Sequence, residues 1–178
     1  LITSPGETQE MSEQANKNDT TYMVPAFSGL GAPYWDAYAR GTLLGLTRGS
    51  NRAHIVRAVL EAIAFQTYDV IRAMEADFGK SIVQLKVDGG ASANNFIMQF
   101  QADLLNISVL RPQEIETTAL GAAYLAGLAV GYWKDKQELI QNTTVGRIFQ
   151  GAMSKEEREL KLNQWHRAVE RARSWEAE

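Results

Sequence analysis

The sequence predicts an α/β fold, and three observations support this prediction. Short apolar segments with the two-residue period of strands alternate along the chain with longer segments of helical period. One long helical pattern is bounded by a capping residue, Ser50 or Asn51, and by Gly79. A strand pattern at residues 83–87 runs into Gly89-Gly90 and is followed directly by another helix. Strands that alternate with helices in this way indicate a sheet covered by helices.

Each element follows from a local signal. Val83, Leu85 and Val87 alternate with polar residues, as in a half-buried strand. Ser154 followed by Glu157 has the spacing of a capping box, which predicts the start of the last helix. In chain order the predicted elements are a polar loop or frayed helix at 1–20, strands at 22–27 and 42–46 on either side of a loop rich in glycine and aromatic residues at 28–40, a helix from 50 or 51 to 79, a strand at 83–87, a helix at 95–105, a strand at 107–110, helices at 117–133 and 136–141, and a last helix from 154 to 175.

Composition excludes several classes of function. The 178 residues suit one domain or a large part of one. The net charge of −3 gives no basic surface for a nucleic acid. The chain has no cysteine and two histidines, which excludes disulfides, thiolate metal sites and cysteine nucleophiles. No apolar run reaches the roughly 20 residues of a membrane span, and no signal peptide is visible. We therefore expect a cytoplasmic protein without a nucleic-acid partner or a membrane span.

The turn at Gly89-Gly90 is the strongest candidate for a ligand site. Two residues without Cβ atoms let the backbone turn sharply and let a flat group approach it closely. The next helix, capped by Ser92, Asn94 or Asn95, offers free N–H groups and a favourable dipole to a nucleotide. A purely structural turn between a strand and a helix explains the two glycines equally well.

The helix predicted at 117–133 has unusually small side chains. It carries many alanines and three glycines, Gly121, Gly127 and Gly131, although glycine costs about 1 kcal/mol per site inside a helix. Close packing against a sheet or another helix is the simpler explanation. In the alternative explanation the helix forms a thin wall beside a ligand, with Thr117 and Thr118 on the nucleotide side.

Two segments resemble the FGGY family of carbohydrate kinases. The run GTLLGL at residues 41–46 and, after seven residues, the run HIVRAVLE at 54–61 fit its C-terminal signature at every specified position. The tract VPAFSGLGAPYWDAYARG at 24–41 is similar to the members of the family that phosphorylate glycerol. Further similarities follow at residues 87–90, at 118–127 and around Trp165.

The resemblance implies part of a ribonuclease-H-like domain of the actin-like ATPase type, with a mixed sheet flanked by helices. In the family two such domains enclose a cleft, and ATP lies between them. Residues 21–178 then look like an incomplete C-terminal, nucleotide-side domain that follows a polar lead-in at 1–20. Gly90 and Asn94 match the positions that contact the adenine and its ribose, so the resemblance assigns these two residues to cofactor binding.

The resemblance also implies which parts of the enzyme lie outside this chain. In family members the phosphate loop, the glycerol contacts and the aspartate that accepts the proton of the glycerol hydroxyl come earlier. The chain begins at Leu1, inside a polar run, rather than at methionine. We therefore expect a piece of a longer protein that does not transfer phosphate alone, and we assign no catalytic residue and no metal ligand. The intact protein would use ATP and Mg²⁺, bind glycerol mainly through its N-terminal half and form a homo-oligomer.

Two other functions remain open at this point. The intact protein could phosphorylate a pentose or another polyol, since the signature belongs to the whole family. The chain could also be a non-catalytic nucleotide-binding module.

Three acidic residues could be mistaken for catalytic groups. We expect Asp36 to structure its loop and Glu61 to form a hydrogen bond within the long helix. We expect Asp88 to bind nearby N–H groups, with a water-mediated contact to Mg²⁺ as the lesser alternative. His54, in the first helical turn, is expected to lie at the surface or to cap the helix.

Overall fold

Two small sheets and six α-helices form the part of the chain that the structure, a computed structural model, describes: residues 2–16, 19–142 and 144–176. In chain order the elements are a 3₁₀ turn Pro5–Glu7, α1 Thr8–Gln14, β1 Tyr22–Val24, β2 Thr42–Leu44, α2 Arg52–Phe78, β3 Gln84–Lys86, a 3₁₀ turn Gly90–Ala93, α3 Asn95–Leu105, β4 Ser108–Pro112, α4 Thr117–Ala129, α5 Lys136–Asn142, β5 Val145–Phe149 and α6 Lys155–Ala172.

The larger sheet has the order β3-β4-β5 and is mixed, as predicted. β3 pairs with β4 in parallel, because α3 crosses over between them. β5 pairs with β4 antiparallel, with Arg111 opposite Arg147. β1 and β2 form a separate antiparallel pair.

Helix α2 packs against α1, α3 and β1 and has both of its predicted caps. Asn51 accepts a hydrogen bond from the N–H of Ala53, and Gly79 ends the helix in the left-handed conformation with φ of 65°. Phe65 of α2 stacks on Trp165 of α6, with ring centroids 5.0 Å apart, and meets Phe100 of α3 edge-on at 5.3 Å. These contacts join α2, α3 and α6 with β1 in one hydrophobic core.

A second cluster of buried side chains lies under the larger sheet. Val109 of β4 and Phe149 of β5 pack there against Ile97 and Met98 of α3, and Met11 of α1 closes the cluster. This cluster fixes the position of the loop between β3 and α3 relative to α1.

The prediction for residues 1–20 was wrong in one respect. Residues Thr8–Gln14 form helix α1, which packs on α2 and α3, where a loop or frayed helix was expected. The buried residues of this segment, Thr8, Met11, Ser12 and Ala15, have helical spacing, but two of them carry hydroxyl groups. Leu1, Lys17 and Asn18 lie outside the described residues. The division of the chain at residue 20 stays a prediction.

Strand β5 was missed by the sequence analysis. Its residues Val145 to Ile148 are exposed, so no alternating burial marks the strand, and pairing with β4 is what holds it. The neighbouring helix α4 ends at Ala129, earlier than predicted, and Gly131 has φ of 73°, which takes the chain out of the helical conformation.

Close packing of α4 was also expected and is not found among the described residues. Only Gly127 of this helix is buried, where it lies against the ring of Trp133, and Leu125 is 71% exposed. The five alanines of α4, in contrast, are exposed. Within the described residues no helix combines the length and apolar character that crossing a membrane requires.

Candidate functional site

The candidate site is the loop between β3 and α3. Gly89 has φ of 74° and ψ of 171°, a conformation that is open essentially to glycine alone, and its N–H donates to the carbonyl of Ile115 at 2.8 Å. The chain then forms the 3₁₀ turn Gly90–Ala93. The buried hydroxyl of Ser92 donates back to the carbonyl of Gly89 at 2.7 Å. The start of the turn is thereby tied both to the segment before α4 and to the turn's own Ser92.

Asn94 is the N-cap of α3, as its position in the sequence suggested. Its Oδ1 accepts hydrogen bonds from the N–H groups of Phe96 at 3.0 Å and Ile97 at 3.2 Å. Its Nδ2 donates to the hydroxyl of Thr8 at 3.2 Å. The oxygen is therefore engaged within the protein, and the second N–H of the amide is the group it can offer to a ligand.

Gly90 differs from Gly89 because its backbone conformation does not require a glycine. Its φ is not positive. A Cβ built on Gly90 would meet no described atom within 4 Å. The absent side chain therefore leaves free space beside the backbone, where a flat group can approach.

Two polar features at the start of α3 bear on what the loop can bind. Oδ1 of Asn95 is buried and has no hydrogen-bond partner among the described residues, which is unusual for a buried acceptor. The free N–H groups that were expected at the start of α3 are not found among the described residues, because the N–H of Asn95 donates to Gln9 and those of Phe96 and Ile97 donate to Asn94. The structure brings the two predicted cofactor-binding residues, Gly90 and Asn94, to opposite ends of one five-residue loop.

Side chains from two other elements hold the loop in place. Arg111 of β4 donates to the carbonyls of Ser92 at 2.7 Å and Ala93 at 3.1 Å. Oε1 of Gln9 in α1 accepts from the N–H of Asn95 at 2.9 Å. The sequence analysis missed these residues because no local pattern links a β4 arginine or an α1 glutamine to a loop so far away in the sequence.

Asp88 lies at the edge of the loop and lines a cavity of about 280 Å³ with Arg111 and Thr117. Its carboxylate accepts a hydrogen bond from the hydroxyl of Thr117, the first residue of α4, rather than from the N–H groups that were expected. Thr117 thus lies beside the strand end that leads into the diglycine turn, and its place on the nucleotide side stays a prediction.

The other acidic residues have the structural roles that were predicted. Asp36 accepts from the N–H groups of Tyr38, Ala39 and Ser174 and lies 3.6 Å from Arg173. The bond from Ser174, with the other backbone bonds and Arg173, lowers the pKa of Asp36.

The carboxylate of Glu61, buried within α2, pairs with Arg57 at 2.7 Å. Nδ1 of His54 accepts from the N–H of Asn51 at 3.1 Å, and so the histidine helps to cap α2. Among the described residues no group of three acidic or histidine side chains could hold a metal ion.

Comparisons with known proteins give the family and the fold of the chain. Residues 3–130 match the model of the FGGY family of carbohydrate kinases, C-terminal domain. The glycerol kinase of Clostridium botulinum (strain 657 / Type Ba4) is 56% identical over 176 residues, which are 99% of this chain and 35% of that protein.

Two solved structures share the fold. The structure of Plasmodium falciparum glycerol kinase with ADP has a TM-score of 0.85 at 36% identity and is similar over 96% of this chain and 34% of that one. A ligand-bound xylulose kinase from Lactobacillus acidophilus has a TM-score of 0.70 at 26% identity, over 94% of this chain and 34% of that one. These similarities show the predicted fold, part of an actin-like ATPase domain. The chain spans about a third of the length of the relatives it matches.

Proposed function

Since the chain belongs to the FGGY family of carbohydrate kinases, we propose that it is the C-terminal, nucleotide-side part of an ATP-dependent glycerol kinase. Such an enzyme transfers the γ-phosphoryl group of Mg-ATP to a terminal hydroxyl of glycerol and gives sn-glycerol 3-phosphate and ADP. The observation that carries the proposal is the similarity of almost the whole chain, at 56% identity, to a protein named glycerol kinase.

Glycerol is favoured over a pentose as the substrate because the chain is more similar to a glycerol kinase than to a xylulose kinase. The structure of a glycerol kinase is 36% identical to the chain with a TM-score of 0.85, whereas the xylulose kinase is 26% identical with a TM-score of 0.70. The tract at 24–41, whose carboxylate Asp36 organises the loop around Tyr38 and Ala39, is the part of the sequence that resembles the glycerol-phosphorylating members.

In this proposal the residues of the chain bind and orient the nucleotide. The backbone at Gly90 supports one face of the adenine, because the space beside it is open. The free N–H of the Asn94 amide donates to the ribose or to the base, while its oxygen holds the first turn of α3 in place. Phosphoryl transfer depends mainly on positioning and on stabilisation of charge, so rigid binding of the adenosine end helps to align the γ-phosphoryl group with the acceptor hydroxyl.

The proposal assigns no catalytic residue to this chain. Mg²⁺ bound with ATP neutralises the charge on the phosphates, and the described residues supply no group that could hold the ion by themselves. We therefore place the metal on the nucleotide. We place the catalytic base and the glycerol contacts in the part of the enzyme that this chain, at about a third of its relatives' length, does not cover.

The proposal is tested with the longest natural polypeptide that contains these 178 residues. Glycerol, xylulose and gluconate are offered with Mg-ATP, and the phosphorylated products and ADP are measured. Glycerol should have the highest kcat/KM by at least about tenfold, and the 178-residue chain alone should show no turnover. Preference for xylulose or gluconate would show a different substrate within the family, and no transfer to any acceptor would favour a non-catalytic nucleotide-binding protein.

A further inference from the structure

The C-terminal end of the 3₁₀ turn in the candidate site accepts two hydrogen bonds from one guanidinium group of the neighbouring strand. Nη1 of Arg111 donates to the carbonyls of both Ser92 and Ala93, the last two residues before the cap Asn94. Hydrogen bonds from a charged donor are stronger than those from a neutral one. Arg111 therefore determines where the C-terminal end of the turn lies relative to the sheet.

The charge of Arg111 is not used for an ion pair. Among the described residues it lies within 4.0 Å of no carboxylate. Its guanidinium lies over the ring of Phe149 on β5, 5.3 Å from the ring centroid, and this contact limits its rotation. The two carbonyls of the turn are thus the polar partners that the structure gives it.

Arg147 on β5 provides a matched comparison within the same sheet. It stands directly opposite Arg111 in the β4–β5 register. Its guanidinium also lies over Phe149, at 4.6 Å from the centroid. The guanidinium groups of Arg111 and Arg147 thus both lie over the ring of Phe149. They differ in that Arg111 donates hydrogen bonds to the carbonyls of Ser92 and Ala93.

We propose that Arg111 is a positioning residue for nucleotide binding, which acts through the carbonyls of Ser92 and Ala93 to hold Gly90 and Asn94 in their binding arrangement. This inference rests on the proposed function, since it takes the loop Gly90–Asn94 to be the adenosine site. Without the guanidinium, the turn loses two anchors while α3 and the sheet keep their own contacts. The affinity for the nucleotide should then fall, whereas the acceptor site and the chemical step should be unaffected.

The test compares Arg111→Ala, Arg111→Lys, Arg147→Ala and Gly90→Val in the longest natural polypeptide that contains the chain. Arg111→Ala should raise the KM for ATP about tenfold, which corresponds to about 1.4 kcal/mol, with kcat and the KM for glycerol changed by less than about twofold. Arg111→Lys should recover part of the loss, because the ammonium group still donates hydrogen bonds but lies on a flexible stem and lacks the fixed planar fork of the guanidinium. Arg147→Ala should change none of these constants.

Hydrogen exchange of the free protein gives a second readout that does not depend on activity. Arg111→Ala should speed exchange in peptides that cover residues 89–98, and Arg147→Ala should not. Equal effects of the two alanine variants would show that the charge over Phe149, and not the bond to the turn, is what matters, and this would overturn the inference. A fall in kcat at saturating ATP with an unchanged KM for ATP would also overturn it.

Gly90→Val separates failure of this inference from failure of the proposed function. If Gly90→Val weakens ATP binding and Arg111→Ala does not, the adenosine site stands and the role of Arg111 is refuted. If neither substitution affects ATP, the adenosine site itself is misplaced. Arg111→Lys decides the matter if the alanine variant does not fold, since a lysine variant with unchanged exchange at 89–98 and an unchanged KM for ATP contradicts the inference.

Discussion

Gly89 and Gly90 are adjacent, yet the structure predicts opposite effects when each is replaced by alanine. Gly89 has φ of 74° and ψ of 171°, which an alanine adopts only under strain. Gly90 has no positive φ, and a Cβ there would meet no described atom within 4 Å. Gly89→Ala should therefore destabilise the fold, and Gly90→Ala should affect only what binds in the open space beside the loop.

The magnitudes follow from these two environments. A residue forced into the conformation of Gly89 costs about 1–3 kcal/mol. Gly90→Ala should leave the free energy of unfolding unchanged or raise it by about 0.4–1 kcal/mol, because alanine restricts the unfolded chain. A methyl group placed against a bound adenine produces overpacking of about 1–3 kcal/mol, and the KM for ATP should rise about five- to 150-fold. Gly90→Val should have a larger effect in the same direction.

Denaturant unfolding and steady-state kinetics, on the polypeptide that carries the chain, measure the two effects separately. Gly31→Ala is the control, since Gly31 also lacks a positive φ and its Cβ would meet no described atom within 4 Å. It should change neither stability by more than about 0.5 kcal/mol nor the KM for ATP. Normal ATP binding by Gly90→Ala, or a loss of glycerol binding alone, would refute the assignment of the adenine to this loop.

Three further predictions concern other parts of the chain. Asn94→Leu should raise the KM for ATP more than that for glycerol, and it should also cost about 1 kcal/mol of stability because α3 loses its cap; an unchanged KM for ATP would limit Asn94 to capping. The bond from His166 to Asp69 raises the pKa of His166. The stabilisation from this bond is therefore complete below the unfolded pKa of about 6.5 and is lost as the pH rises through the higher folded pKa. His166→Gln should abolish this pH-dependent stabilisation, as measured by the difference in the free energy of unfolding between acidic and alkaline pH. The 178-residue chain alone should self-associate through the exposed apolar side chains of α4 and its C-terminal end, and Leu125→Glu should reduce this association in sedimentation experiments. A monomeric unsubstituted chain would contradict the prediction.

The order of elements could be read from the sequence wherever burial follows a regular period. Asn51, Gly79 and Ser154 mark helix ends through their own backbone chemistry, and all three lie where the sequence placed them. Helix α1 escaped notice because Thr8 and Ser12 occupy buried positions, and they do so by donating their hydroxyls to the carbonyls of Pro5 and Gln9. A hydrophobicity pattern cannot show hydroxyls that become buried in this way.

The part of the candidate site that is contiguous in sequence was predictable, and the part that depends on tertiary packing was not. The diglycine turn and the cap Asn94 are contiguous in sequence, so their chemistry is visible there. The supports of the loop, Arg111, Gln9 and Thr8, come from elements that only tertiary packing brings near. The free space beside Gly90 likewise depends on the tertiary structure, since it exists because no other part of the described chain packs there.

Photolabelling with 8-azido-ATP tests the central claim most directly, because the azide marks the residues that contact the base. The polypeptide that contains the chain is irradiated with the probe and Mg²⁺ and digested with trypsin, and the labelled peptides are identified by mass spectrometry. The label should appear in the peptide of residues 87–134, which carries the whole loop because trypsin does not cleave between Arg111 and Pro112, and ADP should prevent it while glycerol should not. Labelling that ADP prevents but that lies wholly outside residues 87–134 would contradict the assignment of this loop as the adenosine site.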